Sequence, residues 1–239
     1  MSEEIYYDII IPHYGVDEEL NQTAIECIKS IKKYSDHYRI IFIDNASPAG
    51  YISDTEGVFP KGSVIVKPEE NLGFVKAVNV GLQLSHAPFI VIMNNDTLAV
   101  ENWLDRLSRP FYMDQNIGAV GPRTTTRESW QGKKKIKPEG YVILPTHSML
   151  AFFCVMLRKS VIDKVGVLSQ DYGVGLGDDD DYCYRLQKVG YRLCLDTELI
   201  IPHKHRTTFK KLYTKQELED MRDNAMDILR EKGHWPKKS

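Results

Sequence analysis

Short β-branched segments alternate with amphipathic helical segments through the first half of this 239-residue chain. The helical segments are recognised by apolar residues that recur every three or four positions. This alternation predicts an α/β fold with a Rossmann-like, mostly parallel sheet flanked by helices. In such sheets ligands lie beyond the carboxyl ends of the strands, so a functional site is expected in the loops at that edge. The predicted strands are 7–12, 38–43, 63–67, 89–93 and 117–121.

The second half is less regular and carries fewer strand signals. Residues 122–145, which are basic and contain Trp130, are interpreted as a long loop that is either a solvated flap or an acceptor-binding segment. Thr214 and Glu217 form a capping box that predicts a C-terminal helix. No linker is recognisable, so residues 1–239 are expected to form a single domain. The other predicted elements are a core segment at 148–157, helices at 159–165 and 180–188, and strands at 191–195 and 199–202.

Composition narrows the class of protein. The chain has 31 basic and 33 acidic side chains, a balance that argues against nucleic-acid binding over the whole surface. No apolar run approaches the ~20 residues of a membrane-spanning helix, although peripheral contact with a membrane stays compatible with this composition. The acidic start lacks the features of a secretory signal, which predicts a cytoplasmic location. Four cysteines without a close pair are expected to be reduced and packed.

Polar residues follow the second and third predicted strands. Asp44 and Asn45 could bind a nucleobase or ribose, and alternatively they form an Asx turn. Asn71 and Gly73 precede a helix whose free amides would attract phosphate, and alternatively they are a helix cap and a turn glycine. Neither a P-loop nor a dinucleotide-binding fingerprint is present.

Two further groups of residues suggest a metal site. Asn94, Asn95 and Asp96 follow a buried strand and offer the oxygen ligands that Mg²⁺ or Mn²⁺ prefers. The alternative is a polar turn. His203 and His205 follow the last predicted strand, and either could reach a metal or a diphosphate. Their alternative is a basic surface loop.

Four consecutive aspartates, 178–181, stand at the predicted start of a helix. Asp181 and Arg185 are spaced for an ion pair within the helix. Some of these acids favour the helix N-terminus, but four adjacent carboxylates repel one another. Such a run is consistent with one member acting as a base near a metal or a bound hydroxyl.

Taken together, these motifs resemble the family 2 glycosyltransferases, and within them a rhamnosyltransferase-like branch. The opening strand ends in Pro-His-Tyr-Gly, similar to the family's Pro-x-Tyr-Asn. Residues 43–47 resemble its Val-Asp-Asn-x-Ser motif, and residues 71–81 resemble N-x-G-F-x-x-x-x-N-x-G. Met-Asn-Asn-Asp-Thr at 93–97 stands in the place of the metal-binding D-x-D motif. Residues 177–185 resemble G-E-D-x-D-x-x-x-R.

The resemblance implies an inverting enzyme with a GT-A fold and a nucleotide-diphosphate sugar donor, with UDP or dTDP favoured. The acceptor would be a glycan, a lipid-linked saccharide or another hydroxyl compound. Asp96 and His203 would hold Mn²⁺ or Mg²⁺, and Asp179, or alternatively Asp178, would be the general base. Residues 1–121 would bind the donor, 122–213 the acceptor, and 214–239 would form the terminal helix. The implied substrate-binding residues are Pro12, Tyr14, Asp44, Asn45, Asn71, Gly73, Lys76, Asn79, Asn94, Asn95 and Arg185.

Three positions depart from the family pattern. Gly15 replaces an Asn, Asn94 replaces the first Asp of D-x-D, and Asp178 replaces a Glu. The first two departures motivate an alternative function, a catalytically silent nucleotide-sugar-binding or scaffold protein. A nucleotidyltransferase is a third hypothesis, but it would require a glycine-rich basic loop near the N-terminus, and residues 13–16 match one poorly.

Overall fold

The computed structural model describes residues 4–50, 52, 57–204 and 207–234. Within them the chain forms eight strands and seven α-helices. The strands are β1 (Tyr7–His13), β2 (Tyr38–Asp44), β3 (Val64–Val66), β4 (Phe89–Met93), β5 (Ile117–Thr124), β6 (Tyr141–Ile143), β7 (Cys154–Arg158) and β8 (Arg192–Ile201). The helices are α1 (Glu18–Tyr34), α2 (Gly73–Leu84), α3 (Trp103–Met113), α4 (Lys159–Val165), α5 (Asp178–Lys188), α6 (Thr207–Leu212) and α7 (Lys215–Glu231).

All eight strands belong to one sheet with the order β3-β2-β1-β4-β7-β5-β8-β6. β7 runs antiparallel to β4 and β5, β6 runs antiparallel to β8, and the other pairs are parallel. The predicted α/β fold with a mostly parallel sheet is therefore confirmed. Because Met93 pairs with Cys154, β7 begins beside the carboxyl end of β4. The residues just before β7 consequently lie at the edge where the parallel strands end.

The central strands are buried because apolar side chains cover both faces of the sheet. β1 and β4 are buried along their whole length, as expected for parallel strands between two helical layers. The predicted capping box is also confirmed, and a second capped helix is observed. Asp17 accepts a hydrogen bond from the Leu20 amide at the start of α1, and Thr214 and Glu217 form the capping box of α7.

A buried carboxylate on β1 joins three parts of the fold. Asp8 accepts two hydrogen bonds from the Arg39 guanidinium on β2, at 2.8 and 2.9 Å. It also accepts from the backbone amides of His86 and Ala87, at 2.7 and 3.0 Å. These four donors compensate the cost of removing the charge from water.

The second half differs from the sequence-based prediction. The predicted loop at 122–145 contains the end of β5, a 3-10 turn at Trp130–Gly132 and the strand β6. The two predicted strands at 191–202 are one strand, β8, with a register shift where Asp196 interrupts the pattern. The Asp196 carboxylate accepts hydrogen bonds from the amides of Glu198 and Leu199, both at 3.0 Å. It thus serves as acceptor for amides at the point where pairing with β5 is interrupted. The helix α6 was not predicted.

The four cysteines are buried with free thiols, and burial raises the pKa of each. They lie on α1, β7, α5 and β8. In the described part of the chain, every helix is too short or too polar to cross a lipid bilayer.

Candidate active site

A cavity of about 530 Å³ opens at the carboxyl edge of β1, β2 and β4. The second wall is formed by the segments before β7 and α5 together with α6 and α7. Ten of the predicted site residues line this cavity, although they come from five separate parts of the sequence. They are Pro12, Tyr14, Asn45, Asn71, Gly73, Asn94, Asn95, Asp96, Asp178 and Asp179.

Several other predicted residues are placed elsewhere. The Asn79 side chain donates a hydrogen bond from Nδ2 to the Leu168 carbonyl and accepts one at Oδ1 from the Leu168 amide, both at 2.9 Å. This side chain therefore fixes a loop instead of facing the cavity. Arg185 pairs with Asp181 and donates to two backbone carbonyls. Lys76 is exposed on α2 and does not line the cavity. The structure thus does not bring these three residues to the predicted substrate contacts.

Asp44 is fully buried behind the cavity wall. One carboxylate oxygen accepts from the Ser47 amide at 3.3 Å, as the alternative of an Asx turn predicted. The other oxygen, Oδ2, has no hydrogen-bond partner among the described residues. A buried carboxylate oxygen in this state is costly unless a ligand donor satisfies it.

The turn before α2 is held by side-chain hydrogen bonds. Asn45 accepts from the Leu72 amide at 2.8 Å, and Asn71 accepts from the Gly73 amide at 2.9 Å. The Phe74 amide donates to the Val174 carbonyl at 3.3 Å. The amides of Gly73 and Phe74, at the start of α2, are therefore already engaged within the protein. Gly73 has a φ of 74°, which makes it a turn glycine as well.

Asp96, which lines the cavity, lies in contact with His203. The Nε2 atom of His203 lies 3.0 Å from Oδ1 of Asp96. The backbone locks the pair, because Thr97 and His203 form a β-bridge and the Lys204 amide donates to the Asp96 carbonyl at 3.0 Å. The His203 ring stacks on Phe153 with the centroids 4.9 Å apart.

The donor set around this pair fits a divalent cation. A carboxylate oxygen and an imidazole nitrogen are ligands that Mn²⁺ accepts, and Mg²⁺ binds the carboxylate. Oδ1 of Asn94 is buried nearby and has no hydrogen-bond partner among the described residues. Among the described residues, no group of three or more His, Cys, Asp or Glu side chains that could hold a metal ion occurs there. His205, the other predicted candidate, lies outside the described residues.

His13 is a site residue that the sequence analysis missed. It accepts a hydrogen bond at Nδ1 from the Asn95 amide at 2.7 Å and donates from Nε2 to Asn21 Oδ1 at 2.9 Å. Burial lowers the pKa of His13, in keeping with a neutral ring. This arrangement also explains Gly15, because a Cβ atom there would lie 1.9 Å from Asn21 Oδ1. A glycine therefore makes room for the hydrogen bond between His13 and Asn21, and the His13 ring in turn accepts from Asn95.

Asp178, Asp179 and Asp180 border the cavity on the first turn of α5. Burial, with the charge of Asp179 as the next cause, raises the pKa of Asp178 to about 8. The same causes raise the pKa of Asp180 to about 8. Burial also raises the pKa of Asp179, an effect opposed by hydrogen bonds from the backbone amides of Asp180 and Phe152.

Asp181 has a different role from its three neighbours. Burial disfavours its charge, but hydrogen bonds from Arg185 and His234 and the charge of Lys232 outweigh burial and lower its pKa. The Arg185–Asp181 contact of 2.7 Å confirms the pair predicted from the spacing. Asp181 thus anchors α5, which leaves residues 178–180 for the cavity.

Two glycines allow helices to approach this carboxyl cluster. A Cβ atom at Gly177 would lie 3.0 Å from Ala225 Cβ on α7, and one at Gly175 would lie 3.5 Å from the Phe209 ring on α6. Both glycines also have positive φ angles, of 89° and 129°. The C-terminal helices therefore pack directly beside the aspartates.

Comparison with solved structures shows the fold. The chain aligns with GalNAc-T7 bound to UDP, GalNAc and Mn²⁺ at a TM-score of 0.65 and 13% identity, covering 84% of this chain and 43% of that one. It aligns with the mannosyltransferase PcManGT from Pyrobaculum calidifontis, in complex with GDP-Man and Mn²⁺, at a TM-score of 0.61 and 16% identity. This alignment covers 84% of this chain and 57% of that one. It also aligns with S. aureus TarS 1-349 at a TM-score of 0.64 and 11% identity, covering 94% of this chain and 72% of that one. The fold is GT-A.

Sequence comparison shows the family. The pre-mycofactocin glycosyltransferase of Mycobacterium tuberculosis is 26% identical over 186 residues, which is 72% of this chain. The aligned part covers 38% of that relative. The family model for glycosyl transferase family 2 matches residues 8–166. The match includes β1 to β7 and the Asn94–Asp96 turn, and ends before the aspartate cluster. This chain belongs to glycosyl transferase family 2.

Proposed function

We propose that this glycosyltransferase moves a sugar from a nucleoside-diphosphate donor to an acceptor hydroxyl with inversion at the anomeric carbon. One observation carries the proposal. A single cavity is lined by Asp96, whose carboxylate contacts His203, and by carboxyl groups of raised pKa. Such a cavity holds both a group suited to stabilise a leaving diphosphate through a cation and a group suited to take a proton from a nucleophile.

The donor would lie along the ends of β1, β2 and β4. Pro12, Tyr14 and Asn45 would contact the nucleoside, for which we favour a UDP or dTDP donor on the strength of the sequence motifs. Asp96, His203 and the side-chain oxygen Oδ1 of Asn94 would hold Mn²⁺ or Mg²⁺. The cation supplies positive charge that stabilises the diphosphate as it leaves. The structural neighbours described with UDP or GDP-Man and Mn²⁺ support this choice of cofactor.

The acceptor hydroxyl would lose its proton to Asp179, with Asp178 as the alternative base. A carboxyl group with a raised pKa takes a proton more readily near neutral pH than an ordinary aspartate does. Attack on the face opposite the diphosphate inverts the configuration. We further propose that residues 1–239 act as one domain, with a donor half at 1–121, an acceptor half at 122–213 and a terminal helix at 214–239. Membership of a rhamnosyltransferase-like branch and a cytoplasmic location remain predictions from the sequence.

The raised pKa values predict opposite pH responses of activity and stability. Between about pH 4 and 8 the unfolded chain ionises Asp178 and Asp180 while the folded chain keeps them protonated. Folding then takes up protons, so this contribution to stability falls as pH rises and is fully lost above pH 8. Burial also raises the pKa of the proposed base, Asp179, and transfer needs this base ionised, so the turnover number should rise as the pH rises.

Denaturant unfolding at pH 5, 7 and 9 measures the stability part of this prediction. The loss of stability with pH should be smaller in Asp180→Asn than in the wild type. Asp223→Asn, which changes an exposed carboxylate on α7, is the matched control and should follow the wild type. Identical pH profiles for all three proteins would contradict the assignment.

The proposed function itself is tested by thermal stabilisation with a panel of UDP-, dTDP-, GDP- and CMP-linked sugars, with and without Mn²⁺. A donor at about 100 times its dissociation constant adds roughly 2.7 kcal/mol, or about 5 °C for a domain of this size. We expect one nucleotide class to stabilise the protein, and to do so more strongly with Mn²⁺. Stabilisation without transfer to any acceptor would favour the silent-scaffold alternative. No stabilisation by any donor would contradict the proposal.

A further inference from the structure

Three hydrogen bonds in series connect a backbone carbonyl to a side chain of the cavity. Nδ2 of Asn21 donates to the Gly50 carbonyl at 3.3 Å. Oδ1 of Asn21 lies 2.9 Å from Nε2 of His13, and Nδ1 of His13 lies 2.7 Å from Nδ2 of Asn95. All three side chains are buried, and His13 and Asn95 line the cavity. We call these three hydrogen bonds the His13 network.

The direction of each hydrogen bond in the His13 network follows from its first member. A backbone carbonyl can only accept, so Asn21 turns its nitrogen to Gly50 and its oxygen to His13. Nε2 of His13 must then carry the ring proton, and in a neutral ring Nδ1 is left as an acceptor. Burial lowers the pKa of His13, which favours the neutral ring. Asn95 is therefore held by its nitrogen, and its oxygen is left as an acceptor.

The position of Asn95 indicates which ligand group its oxygen would meet. Asn95 directly precedes Asp96, and its partner His13 pairs in register with Asp44 on β2. Under the proposed function, the diphosphate lies near Asp96 and the nucleoside lies along the ends of β1 and β2. The ribose is the part of a nucleotide that connects the base to the diphosphate, and its hydroxyl groups can donate hydrogen bonds.

Gly15, where the chain departs from the family pattern, is coupled to the His13 network. A Cβ atom at position 15 would lie 1.9 Å from Oδ1 of Asn21 and 2.8 Å from Nε2 of His13. These two atoms form the middle hydrogen bond, so a side chain at position 15 would require this bond to shift. Gly15 is not one of the residues that line the cavity, so it acts on the ligand only through its neighbours.

Building on the proposed function, we infer that His13 is a positioning residue for the donor nucleotide. The His13 network fixes the amide of Asn95 so that its oxygen accepts a hydrogen bond from a ribose hydroxyl group. A site built to bond a hydroxyl group discriminates against an analogue that lacks it, because the polar atom of the protein is then left unpaired. His13 therefore contributes to the choice of nucleotide without touching the reacting atoms.

Three replacements of His13 separate positioning from packing. Asparagine places an acceptor near the position of Nδ1, glutamine reaches only the position of Nε2, and phenylalanine retains only a ring beside Phe42. UDP, GDP and dTDP are titrated into the full chain by calorimetry, with Mn²⁺ and again in EDTA. For the nucleotide that binds most tightly, His13→Gln and His13→Phe should weaken binding by about tenfold, and His13→Asn by less than about threefold. If His13 served only for packing, phenylalanine would be the mildest of the three changes.

Further variants test whether the His13 network acts as a unit. Gly15→Ala should also weaken binding by about tenfold, although it changes no residue that lines the cavity. In an Asn95→Ala background, neither Gly15→Ala nor His13→Gln should weaken binding further, because the group that they position is absent. His86→Gln changes an exposed histidine and is the matched control, which should bind like the wild type. Circular dichroism of all variants checks that the fold is retained.

Deoxy analogues test the contact with the ribose. The 2′-deoxy and 3′-deoxy forms of UDP and GDP, and the 3′-deoxy form of dTDP, are compared with the parent nucleotides. Removal of one hydroxyl group should weaken binding to the wild type by about tenfold, and the same removal should have no effect on binding to Asn95→Ala.

The inference is overturned if the deoxy analogues bind the wild type as tightly as their parents, if His13→Asn binds no better than His13→Phe, or if His13→Gln binds like the wild type. In each of these cases a nucleotide still binds, so the proposed function stands and only the role of His13 is removed. If none of the three nucleotides binds to the wild type, the proposed function is itself contradicted.

Discussion

Replacing Asp179 with asparagine should abolish sugar transfer and leave donor binding intact. Loss of a positioned general base typically lowers a rate by about 10²- to 10⁴-fold. The change is structurally mild, because Oδ1 of Asp179 accepts a hydrogen bond from the Asp180 amide at 3.0 Å, and an asparagine oxygen can do the same. The start of α5 is therefore expected to persist, and only the capacity to take a proton is removed.

Single-turnover transfer and thermal stabilisation by the donor, measured on one preparation, separate the two effects. Asp178→Asn and Asp180→Asn are the matched comparisons, since both carboxyl groups share the cavity and have a raised pKa. We expect the largest loss for Asp179. If Asp178→Asn loses transfer and Asp179→Asn retains it, Asp178 is the base. Transfer at the wild-type rate in all three variants would exclude the cluster from proton transfer.

Replacing Asp96 with asparagine should remove the response of donor binding to Mn²⁺. The carboxylate is the one anionic ligand in the predicted metal set, and its charge is what holds a hard cation in competition with water. We expect donor affinity with Mn²⁺ to fall by about a hundredfold, or ~2.7 kcal/mol, and affinity in EDTA to stay unchanged. Calorimetric titration of the donor with and without Mn²⁺ gives both values.

Asn94→Asp is the complementary variant, because it restores the first carboxylate of the D-x-D motif. With two carboxylates at the turn, the concentration of Mn²⁺ needed for half-maximal donor binding should fall. The backbone contacts of the turn, including the Asn94 amide to the Phe153 carbonyl at 2.8 Å, do not involve either side chain. Donor binding by Asp96→Asn that still responds to Mn²⁺ like the wild type would contradict the metal assignment.

Much of the donor side of the fold could be predicted from the sequence because its signals are local. β1, β2 and β4 are buried on both faces and therefore appear as continuous apolar runs. The cap at Asp17 and the capping box at Thr214 each depend on residues within four positions. Several of the ten cavity residues could also be predicted, because they directly follow the end of a parallel strand.

The rest depends on contacts between distant residues. The insertion of β7 between β4 and β5 has no local signal. Asn79 resembles a ligand-binding residue by its motif, but its partner Leu168 lies 89 positions away. His13 directly follows the predicted strand 7–12, and its role depends on the positions of Asn21 and Asn95. The surroundings of the aspartate cluster likewise depend on distant residues, because Phe209 on α6 and Ala225 on α7 lie beside Gly175 and Gly177.

The placement of the four cysteines has a practical consequence. Thiol reagents attack the thiolate, and burial both excludes the reagent and raises the pKa of each thiol. Labelling of the native protein therefore requires local or global opening. Because the thiols are distributed over α1, α5 and two strands, the order in which they react would rank the local stability of these four elements. The chain thus contains its own set of probes for local unfolding, without any engineered label.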